Sequence, residues 1–342
     1  MIRFLSAIGT LIGTLAIVGG AHAEGRSKYG VVTKGPGWVY TRLGNPTDVS
    51  PKTTPGILFE GGGRDVDRAY EWMCEHANGG DFLVIRARGT ADYNPYIQKL
   101  CPGINSVSTL KITNRAAARD PFVARTISQS EALFIAGGDQ SQYVRYWQNT
   151  PVNTAIDALA AKGVPVGGTS AGNAILAQYA FSALVGSVYS QQALDNPFQY
   201  RVTIDEDFLS LGRLMTRTIT DDHFVTRDRM GRLVVFLARI SRERGTARPF
   251  GIALDEHTAF LMEANGVGKI VGSSTAYFVS TPGRPEVCEP GRRLTYRNLT
   301  IQRISLGDSF DVVNWKANGG VTYDISAVKG VLSSTQAGGG IY

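Results

Sequence analysis

Between residues 57 and 172, short apolar runs ending in glycine alternate with stretches of helical spacing. ILFEGGG (57–63), DFLVIRARG (81–89), STLKIT (108–113), ALFIAGGDQ (132–140) and VPVGGTSAG (164–172) read as strands. DRAYEWMCEHA (67–77), a segment around Asn94–Leu100, and QYVRYWQNTPVNTAIDALAAKG (142–163), broken at its proline, read as helices. NAILAQYAFSAL (173–184) continues the pattern as a helix. A strand that is apolar throughout must be covered on both faces. The rhythm therefore predicts an α/β fold with a mostly parallel sheet flanked by helices.

Further along, GRLVVFLARISRERG (231–245) reads as a helix and FGIALDEHTAFLME (250–263) as a buried strand with a turn. KIVGSSTAYFVS and LTYRNLTIQRISLGDSFDVV alternate as extra C-terminal β strands or hairpins do. Residues 24–56 read as an irregular N-terminal arm, 57–330 as a single domain, and 331–342 as a loose C-terminal tail.

The first 23 residues are expected to be a secretory leader. Arg3 gives a positive start, an uncharged apolar stretch runs from Phe4 to Val18, and Ala21-His22-Ala23 fits a small-x-small cleavage site before Glu24. A secreted or periplasmic location follows, with no membrane contact once the leader is gone. Such a location permits disulfides. Cys74 and Cys101 pair on one reading; on the other, all three cysteines, Cys288 included, are buried thiols. The formal net charge of +6 comes with no basic run or basic-aromatic stripe, so nucleic acid is not expected as a partner. Three cysteines and four histidines, widely scattered, do not make a zinc cluster.

Functional residues of such sheets gather at the carboxyl ends of strands. Three glycine-rich ends compete: 61–63, 137–140 and 167–172. The first lacks G-x-G-x-x-G spacing and has Arg64 and Asp65 where a phosphate-binding helix would begin, so it reads as a tight turn. Gly168-Thr169-Ser170-Ala171-Gly172 satisfies G-x-S-x-G between a strand and an expected helix, the setting of a nucleophile elbow. Ser170 is then the nucleophile, placed at a helix N-terminus whose dipole favours developing charge.

A serine hydroxyl needs a base. Without the leader only His76, His223 and His257 remain. His223, in a loop beside Asp221 and Asp222, is favoured, since imidazole is the side chain suited to act as a base near neutrality. The orienting carboxylate is Asp255 or Glu256. Neighbouring strand residues face opposite ways, and spacing does not choose between them. Ala171 N–H and Gly138 N–H are the expected oxyanion hole, with Gln140 beside the substrate.

FIAGGDQ (134–140), GGTSAGNAIL (167–176), DDHFVTRDRMGRL (221–233) and GIALDEHTA (251–259), in this order, resemble the cyanophycinase-like serine peptidases of the S51 family. The resemblance implies a class I glutamine-amidotransferase-like, flavodoxin-like three-layer fold. It implies Ser170, His223 and Glu256 as the catalytic set, which selects Glu256 over Asp255. It implies a substrate pocket of Gln140, Asp221, Arg227, Arg229 and Arg232, whose guanidinium groups suit carboxylates of a poly-aspartate backbone, and Asp222 is expected to line the same pocket as a departure from the family. A cyanophycinase is expected to carry glutamine where this chain has Asp222. The implied substrate is a peptide or polyamide, cyanophycin or an aspartyl peptide, and no metal or organic cofactor is called for. The oligomeric state stays open, a homodimer included.

Two rival readings remain. A binding protein on the same fold would not keep Ser170, His223 and Glu256 together. A lipase or esterase would carry its triad in the order serine, acid, histidine rather than serine, histidine, glutamate.

Overall fold

Alternating side chains along five buried strands set the centre of the molecule, whose computed structural model describes residues 23–342. The leader expected over 1–23 lies outside the described residues, Ala23 excepted. The chain opens with β1 (Ala23–Ser27), β2 (Gly30–Gly35) and β3 (Trp38–Gly44). There follow β4 (Gly56–Glu60), α1 (Asp67–Ala77), β5 (Asp81–Arg86), α2 (Tyr93–Leu100) and β6 (Ser106–Ile112). Then come α3 (Pro121–Ser128), β7 (Ala132–Ile135), α4 (Gln140–Trp147), α5 (Pro151–Lys162) and β8 (Val166–Thr169). Strands β4 to β8 run parallel in the order β6-β5-β7-β8-β4. Leu58, Phe82, Val84 and Phe134 turn to the face covered by α1 and α2. Their neighbours Phe59, Leu83, Ile85 and Ile135 turn to the face covered by α3, α4 and α5. Each such side chain, fully buried, stabilises the fold by about 1.5–3 kcal/mol.

The rest of the chain forms a second sheet and extends the first. After β9 (Tyr179–Phe181) come α6 (Ser190–Asp195), β10 (Ile204–Glu206), β11 (Thr218–Asp221), α7 (Met230–Glu243) and β12 (Phe250–Leu254). Next are β13 (Thr258–Glu263), β14 (Val267–Gly272), β15 (Thr275–Ser280), β16 (Tyr296–Ser305), β17 (Ser309–Asp311), β18 (Lys316–Asn318), β19 (Val321–Val328) and β20 (Val331–Ser334). The second sheet has the order β10-β9-β11-β12-β15-β16-β19-β20. Strands β13, β14, β17 and β18 instead extend the first sheet beyond β4. Helix α7 packs on the second sheet through Leu233, Val234 and Leu237.

The expected mostly parallel sheet is corrected here. Both sheets are mixed, because antiparallel hairpins extend the parallel centre of the first sheet and make up most of the second. The N-terminal arm is irregular only over 45–55. GVVTKG and WVYTRLG pair across the Pro36-Gly37 turn, and β3 then lies antiparallel to β6. The helix expected over 173–184 is a single 3₁₀ turn, Asn173–Ile175, followed by β9. Tyr179, Ala180 and Phe181 pair with β10, and Tyr179 also with β11, which overrides their local helical spacing. The tail over 331–342 is not loose either: β20 pairs with β19, and Tyr342 docks on the molecule.

Candidate active site

Three strand ends from the two sheets converge. β8 leads into Ser170, β11 into Asp221-Asp222-His223, and β12 into Asp255-Glu256. Since β11 and β12 are parallel neighbours, Asp221 pairing with Ala253, their carboxyl ends deliver base and acid side by side. Across from them, Ser170 N–H donates to Glu60 O at 3.1 Å and His223 N–H to Gly61 O at 2.8 Å. The end of β4 therefore ties both strand ends together.

Ser170 Oγ lies 2.7 Å from His223 Nε2, and His223 Nδ1 lies 2.5 Å from Glu256 Oε1. A carboxylate only accepts, so Nδ1 carries the proton and donates it to Glu256. Nε2 is then the lone-pair nitrogen, and Ser170 Oγ–H donates to it. Asp255 points elsewhere: its Oδ1 accepts from Val225 and Thr226 N–H, and its Oδ2 from Ser274 Oγ–H. Burial alone would raise its carboxyl, but the Thr226 N–H, the Ser274 hydroxyl and the Glu256 N–H outweigh it and hold it below the usual carboxylate range. His76 and His257 are remote from Ser170 in their bonding. His76 joins Trp72 O and Glu263, and His257 Nδ1 accepts from Arg64 N–H.

Glycines make room for this arrangement. A methyl on Gly168 would stand 2.6 Å from Gly172 C, and one on Gly172 only 2.0 Å from Ile135 O. Those contacts explain both glycines of the G-x-S-x-G turn. Ser170 has φ 50° and His223 φ 43°, left-handed values that side chains seldom adopt. Such strain persists where surrounding bonds over-determine it, commonly at functional sites. The turn at 61–63 has a role that its motif did not reveal. A methyl on Gly62 would stand 2.6 Å from His223 Cε1, and one on Gly63 3.0 Å from Glu256 Cβ. The turn is the surface on which the imidazole and its carboxylate lie.

Ser170 opens into a cavity of about 350 Å³ lined also by Gly138, Asp139, Gln140, Ser187, Asp222, Arg227, Arg229 and Arg232. Among the described residues, neither Ala171 N–H nor Gly138 N–H donates to a protein acceptor. Tyr143, which the sequence reading missed, fixes the 136–138 turn by donating its hydroxyl to Ala136 O at 2.7 Å. Helix α4 begins beside this turn, and Gln140 Nε2 donates to Phe181 O at 3.3 Å. The single 3₁₀ turn after Ser170 supplies little of the helix dipole expected there, so the electrostatic support comes from individual N–H groups.

The basic trio is not three equivalent free charges. Arg232 is buried, grips both oxygens of Asp221, reaches Ser187 Oγ, and lies over the Phe181 ring. Asp221 is buried beneath the cavity as that partner. Arg229 donates to Asp222 O at 2.8 Å and to Asp222 Oδ1 at 2.6 Å. Burial lowers the Arg229 pKa from its ordinary value, with the Asp222 charge working in the other direction. Arg227 is half exposed, 3.8 Å from Glu256. Asp222 Oδ1 is also 3.6 Å from His223 Nε2. Glu60, equally missed by sequence reasoning, is wholly buried behind Ser170 and bonds Val66 N–H and Tyr70 Oη.

A model of peptidase family S51 matches residues 87–270. The cyanophycinase of Trichormus variabilis is 27% identical over 215 residues, 61% of this chain and 66% of that protein. The cyanophycinase of Geminocystis herdmanii is 24% identical over 272 residues, 75% of this chain and 93% of that one. The alignment with the first of these thus spans just under two thirds of its length. Among solved structures, a peptidase from an acI-B1 Actinobacterium superposes with a TM-score of 0.51 at 16% identity, covering 76% of this chain and 98% of that one, which is a likeness of fold. With more than half of its length matched by the family model, the chain belongs to peptidase family S51.

Proposed function

We propose that this protein is an exported serine-type exopeptidase that hydrolyses cyanophycin to β-aspartyl-arginine dipeptides. The observation that carries the serine chemistry is the relay of 2.7 Å from Ser170 Oγ to His223 Nε2 and 2.5 Å from His223 Nδ1 to Glu256. His223 Nε2 takes the hydroxyl proton as Oγ bonds to the substrate carbonyl carbon. The oxyanion so formed accepts from Ala171 N–H and Gly138 N–H. When the C–N bond breaks, the imidazolium returns its proton to the leaving amine, leaving an acyl-enzyme. Water activated by the same nitrogen then releases the acid and restores Ser170. Glu256 stabilises the imidazolium throughout.

The cyanophycin assignment draws on the relatives' name and on a cavity with three arginines. Export draws on the leader pattern and on the Cys74–Cys101 disulfide, which ties α1 to the residue just after α2, with Cys288 buried and free. We also keep the flavodoxin-like reading of the fold. Strands β5 to β8 follow the order 2-1-3-4 of such a sheet, with β4 in the fifth place.

One observation favours a second substrate reading, an aspartyl or isoaspartyl dipeptidase. Asp221 and Asp222 neutralise Arg232 and Arg229, so Arg227 is the guanidinium most open to a carboxylate. Purified protein would be incubated with cyanophycin and, separately, with a panel of aspartyl and isoaspartyl dipeptides, with products read by mass spectrometry. Release of β-aspartyl-arginine supports the main reading. Cleavage of dipeptides alone replaces it with the second. No cleavage and no labelling by a fluorophosphonate would leave a binding protein. N-terminal sequencing of exported protein is expected to begin at Glu24; an uncleaved start would contradict export by this leader.

A further inference from the structure

Asp228 sits between the two cavity arginines, Arg227 and Arg229, with a left-handed backbone, φ 48°, uncommon outside glycine. Three bonds hold it there. Its N–H donates to Val225 O at 3.0 Å, its carbonyl accepts from Ser190 Oγ at 2.5 Å, and its carboxylate accepts from Tyr342 Oη–H at 2.8 Å. The same Tyr342 oxygen accepts from Met230 N–H at 2.9 Å, capping the first turn of α7. One phenol thus clasps both sides of Arg229, one residue before it and one after.

The ring is fixed as well as the hydroxyl. It meets Phe224 and Tyr277 edge-on, with centroids 5.8 Å and 6.0 Å away. Its segment is anchored by Tyr323 Oη donating to Ile341 O and by Gln336 Nε2 donating to Tyr342 O. His223 is secured independently, through Gly61 O and Glu256. The clasp therefore acts on the far half of the 223–230 segment, where the arginine side chains diverge: Arg229 inward onto Asp222, Arg227 outward beside Glu256.

We infer that Tyr342, through Asp228, is a positioning residue that sets the arginine wall of the substrate cavity, so that it governs binding of carboxylate-bearing peptides rather than the reactivity of Ser170. The inference rests on the reading of this cavity as the substrate site. Once the clasp is lost, Asp228 relaxes toward ordinary φ values, and Arg227 and Arg229 lose their fixed separation.

The test is Tyr342→Phe, which keeps the ring and removes only the hydroxyl, beside Asp228→Asn, which still accepts and tolerates left-handed φ better. Steady-state kinetics, fluorophosphonate labelling, amide exchange and thermal stability are measured on each protein. The KM of an aspartyl peptide should rise about 5–20-fold in Tyr342→Phe, with kcat and the rate of fluorophosphonate labelling at Ser170 within about 2-fold of wild type. The added effect of Tyr342→Phe should be smaller in the Asp228→Asn background, because a neutral amide oxygen accepts the phenol proton more weakly than a carboxylate. Amide exchange over 225–230 should quicken in Tyr342→Phe, a readout that needs no turnover. An unchanged KM in a wild-type-active enzyme, a parallel fall in labelling and thermal stability, or unchanged exchange would each overturn the inference. Failure of wild type to be labelled would instead sink the serine-peptidase reading, and the exchange result would still decide the clasp.

Discussion

Gly62 lies directly beneath His223: a methyl at its Cα would stand 2.6 Å from Cε1 and 2.7 Å from Nε2 of the imidazole. The backbone there has φ +92°, which glycine alone adopts without strain. Gly62→Ala is therefore expected to displace the ring from Ser170 and lower kcat by at least about 100-fold, since misplacement of about 1 Å is costly in a positioned site. Steady-state kinetics with circular dichroism checks this. Near-wild-type turnover in a folded Gly62→Ala protein would refute the packing role.

Asp222 holds Arg229 at 2.6 Å and stands 3.6 Å from the imidazole nitrogen facing Ser170. Asp222→Asn keeps an acceptor but removes a negative charge, leaving Arg229 free to attract a substrate anion. The KM of an Asp-Asp peptide should fall roughly 3–10-fold relative to that of an Asp-Arg peptide, in line with the strength of charge-assisted bonds. An equal change for both peptides would show that Asp222 does not tune charge selectivity.

Much of this centre was legible from sequence because its determinants are local. The G-x-S-x-G turn needs small residues within five positions, and the apolar strand before it marks its own start. The helix read over 67–77 forms with those bounds because its apolar spacing is self-contained. The misses were long-range. Tyr179–Phe181 read as helix because its strand partners lie at 204–206 and 219. The role of Gly62 depends on His223, 161 positions away. Tyr342 in a glycine-rich tail gave no sign of reaching Asp228. The charges of Arg229 and Arg232 read as free because nothing local shows that Asp222 and Asp221 turn back onto them. The strands of the N-terminal arm did carry a signal, the β-branched and aromatic residues of GVVTKG and WVYTRLG around Gly-Pro-Gly.

Glu60 supplies a pH-dependent term. Burial, and next the charge of Asp65, push its carboxyl up to about 8 from an ordinary 4.5. Tyr70 Oη has one proton but lies within bonding distance of both Glu60 and Asp65, and a protonated Glu60 completes the chain by donating to the phenol oxygen. Between these two pH values the folded protein binds a proton that the unfolded chain has released. Stability from this group is thus full below about pH 4.5 and lost as pH rises toward 8. Glu60→Gln, a mimic of the protonated acid, should flatten that loss and gain roughly 2–4 °C in Tm at pH 8 over wild type. Thermal scans at pH 5 and pH 8 measure it. A Glu60→Gln protein no more stable than wild type at pH 8 would contradict a raised Glu60 pKa.

The central claim is that His223, oriented by Glu256, activates Ser170. It is tested most directly by intact-protein and peptide mass spectrometry after exposure to a fluorophosphonate, using wild type, Ser170→Ala and His223→Ala. The account predicts one adduct on Ser170 in wild type, none in Ser170→Ala, and labelling slowed by about 1,000-fold or more in His223→Ala, as expected for groups that act as a unit. A wild-type protein left unmodified at Ser170, or labelled equally fast without His223, would contradict it.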